Sequence, residues 1–188
     1  SKISSGSIAF RHYPKGFIFD VAGCCIFYRE ESIMFYDFGF VNSKVAKSIL
    51  SAISPTLNYE AGHIASLPVI RKEDKIALVG ELTQSNIRTS RADWDTFETS
   101  WDFETHPLIK FRMAGAYTWG DAKPTSRISS AYKAWGMFTE GQFDNLKTNE
   151  EELNRIFINI YGLQDELNPE VDDKDVTITR IYDTKEDI

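Results

Sequence analysis

Three histidines, His12, His63 and His106, and two adjacent cysteines, Cys24 and Cys25, are the obvious candidates for nucleophilic or metal chemistry. A nucleophile needs a base and an orienting carboxylate within reach. The histidines lie in unrelated contexts and form no such set, so each reads as a surface or satisfied structural residue. Neighbouring cysteines can neither staple a fold nor offer zinc-ligand spacing. Cys24 and Cys25 sit in the apolar run Val21–Tyr28 and read as buried free thiols of a reducing compartment. No G-x-x-x-x-G-K or G-x-G-x-x-G loop is present. Phe19-Asp20-Val21-Ala22-Gly23 lacks the further glycines that let backbone approach a cofactor, and reads as a strand ending in a turn. Glu150-Glu151-Glu152 has no histidine at ligand spacing and reads as a solvated helix face. The residues point to no catalytic site, no cofactor-binding residue and no metal site, and hence to a binding role.

Charge divides the chain. Residues 1–92 hold 11 Lys and Arg against 8 Asp and Glu, whereas residues 93–188 hold 10 against 20. A weakly basic half joined to an acidic half suggests two roles, and leaves nucleic acid open as a partner of the first. With 42% hydrophobic and 13% aromatic residues the chain can bury a core. No apolar run approaches the roughly 20 residues of a membrane helix, and Ser1–Ser7 carries no signal peptide. Cytoplasmic location and no membrane partner are expected.

The elements that must position these residues read as α+β. Ser7–His12, Gly16–Asp20, Gly23–Arg29 and Ser32–Phe38 are short runs rich in Ile, Phe, Tyr and Val, punctuated by Pro14-Lys15-Gly16 and Glu30-Glu31, and predict a β-rich N-terminal part. A helix capped by Asn42 or Ser43 follows, with Val45, Ala46, Ile49, Leu50 and Ile53 on one face and Ser54-Pro55 as its stop. Gly62–Val69 reads as a helical turn and a short strand at Leu67-Pro68-Val69. Lys72–Arg88 reads as a helix, and Ser90-Arg91-Ala92-Asp93 as the cap that opens an aromatic, acidic stretch. The C-terminal part is expected to be mainly helical, with one long helix or helical hairpin over Thr125–Tyr161. Its seam rows are Ile128, Trp135, Gln142, Asn149, Ile156 and Tyr132, Thr139, Leu146, Leu153, Ile160. Gly136 and Gly141 are candidate breaks. The tail from Asn168 reads as acidic and mobile, with a strand at Val176–Tyr182. The divisions expected are 1–92, 93–124, 125–167 and 168–188.

Phe38-Gly39-Phe40-Val41-Asn42-Ser43, a helix, then Ile64-Ala65-Ser66-Leu67-Pro68-Val69 resembles the target-recognition domains of type I specificity subunits and fused restriction–modification methyltransferases. Ala92-Asp93-Trp94-Asp95-Thr96-Phe97-Glu98-Thr99-Ser100-Trp101-Asp102-Phe103, with His106-Pro107-Leu108, resembles a signature of the large adenine-specific DNA methyltransferases of bacterial or archaeal BREX phage-defence systems. Asn149–Ile158, running into Tyr161-Gly162-Leu163-Gln164-Asp165-Glu166-Leu167, is similar to the region after their recognition domain. The resemblance covers about Phe10 to Ile178 and implies the C-terminal part of a longer chain. The family's Asn-Pro-Pro-Tyr motif, which holds a flipped adenine, is absent. Asn168-Pro169-Glu170-Val171 shares only two letters with it. The S-adenosylmethionine glycine loop is absent too, so that cofactor is implied for the parent and none for this fragment.

The resemblance implies a target-recognition-like segment over 1–92, an aromatic acidic linker, a helical spacer over 125–167, and an acidic tail. Its implied partners are double-stranded DNA, the parent's methyltransferase domain and other defence proteins. Candidate DNA contacts lie in the basic half: Arg11, His12, Lys15, Lys44, Lys47, Arg71 and Lys72. Lys44 and Lys47 stand near a helix N-terminus, where backbone N–H groups favour phosphate. The alternative is a protein-docking module in which tryptophans 94, 101, 119 and 135 supply anchors.

Overall fold

The computed structural model describes residues 8–19, 23–54, 59–113 and 127–183. Among them there is no strand. Six helices carry the fold: α1 (Glu31–Asn42), α2 (Lys44–Ile53), α3 (Ala61–Ala65), α4 (Glu73–Trp94), α5 (Pro107–Met113) and α6 (Ile128–Tyr161), with a short 3-10 turn at Asp173–Asp175. The chain divides into two compact units, one of residues 1–85 with 149–170, the other of 86–148 with 171–188.

The β-rich N-terminal expectation is overturned. Tyr36, Asp37, Phe40 and Val41 are buried, with Gly39 turned to α4, and 36, 37, 40, 41 is the spacing of a helix face. Ser32–Phe38 therefore coils into α1 in spite of its strand-like composition. The described parts of the three earlier runs have no regular secondary structure and form no ladder. A strand exists only where its N–H and C=O groups meet a neighbour, and no such ladder is present among the described residues. The Phe10 amide donates to Asn42 Oδ1 at 3.0 Å. Pro14-Lys15-Gly16 does turn, with Gly16 at φ +100°. Leu67-Pro68-Val69 forms no strand either: the Val69 amide donates to the Leu67 carbonyl at 3.0 Å, a tight three-residue turn. Cys24 is half-buried and Cys25 exposed, against the expectation of two buried thiols.

In the first unit α1 packs on the C-terminal part of α6. Phe157 meets Tyr36 and Phe40 edge-on at 5.5 and 5.4 Å, and Phe40 stacks on Tyr161 at 5.4 Å. Gly39 permits the approach of α4: a Cβ there would lie 2.6 Å from Thr83 Oγ1 and 3.2 Å from Val79 Cγ1. Ser43 caps α2, its Oγ accepting from the Ala46 amide at 3.4 Å.

In the second unit α4 continues through Ser90-Arg91-Ala92-Asp93 to Trp94, so the expected cap is helix interior. Pro107 opens α5 at the position where a missing N–H costs nothing. His106 Nδ1 accepts from the Leu108 amide at 3.2 Å. The single-helix reading of the C-terminal part holds: α6 passes both glycines unbroken. Thr139, Leu146, Leu153 and Ile156 are buried, and Trp135 and Ile160 half-buried, but Ile128 and Tyr132 at its start are exposed. The residues after Asn168 are packed as far as they are described. Val171, Val176 and Ile178 form a core with Phe143 and Leu146. No strand forms at Val176–Tyr182.

Candidate functional site

The basic candidates of the first unit lie on three pieces of chain. Arg11, His12 and Lys15 belong to the extended arm and are exposed; the His12 ring rests near Phe35 and Phe38 of α1 at 6.3 and 6.4 Å. Lys44 and Lys47 open α2. Arg71 and Lys72 precede α4. The arm and the 67–72 segment both lie against α1, and Ser43 alone separates α1 from α2.

Several of these groups already have internal partners. The Lys44 amide, an otherwise open donor at the start of α2, donates to Asn154 Oδ1 at 2.9 Å. Asn154 Nδ2 in turn donates to the Pro169 carbonyl at 3.1 Å, and the Lys44 ammonium donates to the Glu170 carbonyl. Arg71 forks onto Asp37, whose side chain is 4% exposed. That hydrogen bond and charge hold the guanidinium even more firmly protonated than usual. The Lys72 amide donates to Tyr36 Oη at 3.3 Å, and Tyr36 donates to the Ile70 carbonyl at 3.0 Å. Tyr161 donates to the Pro68 carbonyl and accepts from the Ile70 amide at 3.0 Å. Burial, chiefly, raises the pKa of Tyr28, Tyr36 and Tyr161; the Asp37 charge and a hydrogen bond from Tyr28 to Asp37 raise Tyr28 further.

Tyr36, Asp37 and Tyr161 thus clamp the Pro68–Lys72 segment and set the direction in which Arg71 and Lys72 leave it. Sequence reasoning missed this clamp. An aspartate inside the apolar run of α1 was its signal, legible once the run is read at helical period. Arg11, Lys15 and Lys47 remain without ion-pair partners among the described residues and present charge to solvent.

A different site lies in the second unit. Asp93, Phe97, His106, Trp135, Thr139 and Arg180 line a cavity of about 280 Å³. The His106 and Trp135 rings meet edge-on at 5.7 Å. Burial alone raises the Asp93 carboxyl to about 6. Arg180 lies over the Phe143 ring at 3.8 Å and pairs with Asp173 at 2.9 Å and Glu140 at 3.3 Å. Its Nε, though near Glu140, lacks an aligned hydrogen bond. Asp173 is held below the usual carboxylate range by hydrogen bonds from Lys147 and Arg180. Among the described residues no three His, Cys, Asp or Glu side chains group as a metal site, and no helix is long and apolar enough to cross a membrane.

No protein-family model matches the chain. Curated proteins do. It is 39% identical over 180 residues to the adenine-specific methyltransferase PglX of Lacticaseibacillus casei (strain Zhang), a match covering 96% of this chain and 14% of that protein. It is 29% identical over 164 residues to the adenine-specific methyltransferase BrxX of Escherichia coli O9:H4 (strain HS), covering 86% of this chain and 12% of that protein. The chain is similar to a part of adenine-specific methyltransferases. It spans about one seventh of their length.

Proposed function

We propose that this chain is the DNA-recognition and spacer segment of a larger adenine-N6 DNA methyltransferase in a restriction–modification or BREX-type phage-defence system. The observation that carries the reading is the match of 96% of the chain to a protein named for adenine-specific methylation. On this reading the remainder of the parent binds S-adenosylmethionine and transfers the methyl group. The basic first half holds duplex DNA, and α6 serves as the spacer. The methyltransferase portion and other defence proteins are its protein partners. The clamp on Pro68–Lys72 supports the reading, because a recognition surface needs its cations held in fixed directions. Arg11, Lys15, Lys47 and Lys72 are the cations best placed for phosphate, since Lys44 and Arg71 serve internal contacts.

Duplex binding measured by fluorescence anisotropy across a salt series tests this. Each phosphate neutralised releases counterions, so the logarithm of the binding constant falls linearly with the logarithm of salt. Lys47→Glu with Lys72→Glu should weaken binding to every duplex and flatten that slope. Lys133→Glu, exposed on α6 in the acidic second half of the sequence, should leave both unchanged. Equal losses from the two sets, or binding indifferent to salt, would reject the DNA reading.

A further inference from the structure

We propose that the cavity of the second unit binds a small planar cation of the guanidinium class, with the Asp93 carboxylate as anchor and Trp135 and Phe97 as walls. The argument starts from what each lining group already does. Arg180 is engaged by Glu140, Asp173 and the Phe143 ring. His106 Nδ1 is occupied, accepting from the Leu108 amide at 3.2 Å. Thr139 donates its hydroxyl to the Gly136 carbonyl at 3.0 Å. The Asp93 carboxylate alone has no hydrogen-bond or ion-pair partner among the described residues, and burial is the whole cause of its altered acidity. A half-buried carboxylate that receives no protein donor is an acceptor that a bound donor can satisfy.

Charge and shape then choose the donor. Glu140, Asp173 and Asp183 pair with Arg180, and Lys147 with Asp173, so carboxylates outnumber cations around the cavity and an anion is disfavoured. Aromatic rings attract a cation over their faces. Guanidinium is planar, carries paired donors that match a carboxylate, and sheds water more readily than ammonium. The volume is below the roughly 300–1,000 Å³ of sites for drug-sized ligands and suits one such group. The guanidinium has two possible sources, a free small molecule or an arginine side chain of another protein. The proposal does not depend on the DNA reading, which concerns the other unit.

The test titrates the 188-residue chain with agmatine, with a capped Gly-Arg-Gly peptide and with ethylammonium, following the Trp135 indole signal by NMR. Saturable guanidinium binding is expected, tighter than for ethylammonium. Binding should weaken as pH falls through about 6, where Asp93 takes up a proton. His106 and Arg180 are the other charged or titratable groups lining the cavity. Arg180 stays charged, and His106→Gln separates any histidine contribution. Asp93→Asn should weaken binding at least ~10-fold while keeping the fold, checked by thermal unfolding. Phe97→Leu should weaken it less. Tighter binding of the peptide than of agmatine assigns the site to a protein arginine, and the reverse order to a free cation. Absence of saturation by about 10 mM, or Asp93→Asn binding as tightly as the parent chain, overturns the proposal.

Discussion

The Arg71 guanidinium forks onto Asp37 through Nε to Oδ1 at 2.8 Å and Nη2 to Oδ2 at 2.6 Å, and the two residues directly follow in sequence the partners of the Tyr36–Ile70 hydrogen bond. Asp37 is buried while Arg71 keeps 44% of its side chain exposed. Truncating the arginine therefore leaves a buried carboxylate without its countercharge, with the Tyr28 hydroxyl still donating to it, whereas removing both charges does not. Arg71→Ala should destabilise the chain by about 3 kcal/mol in urea unfolding. Adding Asp37→Leu to Arg71→Ala should restore a substantial part of that loss. Additive losses would show that the pair is not coupled.

Tyr161 reaches from α6 to hold Pro68 and Ile70 through one hydroxyl. Tyr161→Phe keeps the ring stacked on Phe40 and removes only the oxygen. The expected cost is about 1–2 kcal/mol. Amide exchange should accelerate at Ile70, which loses its acceptor, and not at Ala46, whose acceptor is Ser43. Unchanged protection at Ile70 would show that the hydroxyl does not hold the segment.

Asp93 gives a pH signature of defined sign. Its folded pKa of about 6 lies above the ordinary aspartate value of 3.8, so folding favours the protonated form. The stability this adds is fully present below the unfolded value, and is lost as pH rises through 6. Asp93→Asn removes the titration. Its unfolding free energy at pH 7 should rise by on the order of 1 kcal/mol once solvent screening at a half-buried site is discounted, and its melting temperature with it. Its stability should also vary less than that of the parent chain between pH 4 and 6. A variant less stable at pH 7 would mean that the carboxylate has a donor after all.

How far the sequence could be read is clearest along α1 and α6. In α6 the apolar positions recur at helical spacing over 34 residues, a signal long enough to overrule two glycines. In α1 composition and period disagree. Ile33, Phe35, Tyr36, Phe38 and Phe40 are all favoured in strands, yet the buried subset follows 3.6 residues per turn. The period won because α4 and α6 supply a helix-shaped partner, contacts that no local window contains. Among the site residues, positive charge was legible but its use was not. Lys44 and Arg71 resemble Lys47 and Lys72 in sequence, and only the distant Glu170 carbonyl and Asp37 distinguish them. The Asp93 cavity was invisible for the same reason, since its lining comes from four separated stretches of chain.

The two glycines of α6 separate a packing role from a tolerated weakness. Both lie inside the helix, where glycine costs about 0.5–1 kcal/mol relative to alanine. At Gly141 an added Cβ meets nothing within 4 Å. Gly141→Ala should therefore raise stability by about that amount. At Gly136 the Cβ would lie 2.7 Å from Cε1 and 3.0 Å from Cζ of Tyr182. The tyrosine, 47% exposed, can swing away only by losing its place over α6 and its edge contact with Tyr132. Gly136→Ala should thus gain nothing or lose up to about 1 kcal/mol, the helical advantage being offset by displaced packing. Tyr182→Ala removes the obstacle. In that background Gly136→Ala should gain as much as Gly141→Ala does in the parent chain, whereas Gly141→Ala should gain the same in either background. Thermal unfolding of the four single and double combinations at each site measures the coupling directly. Equal gains at both glycines in the parent chain would show that Tyr182 does not dock on Gly136.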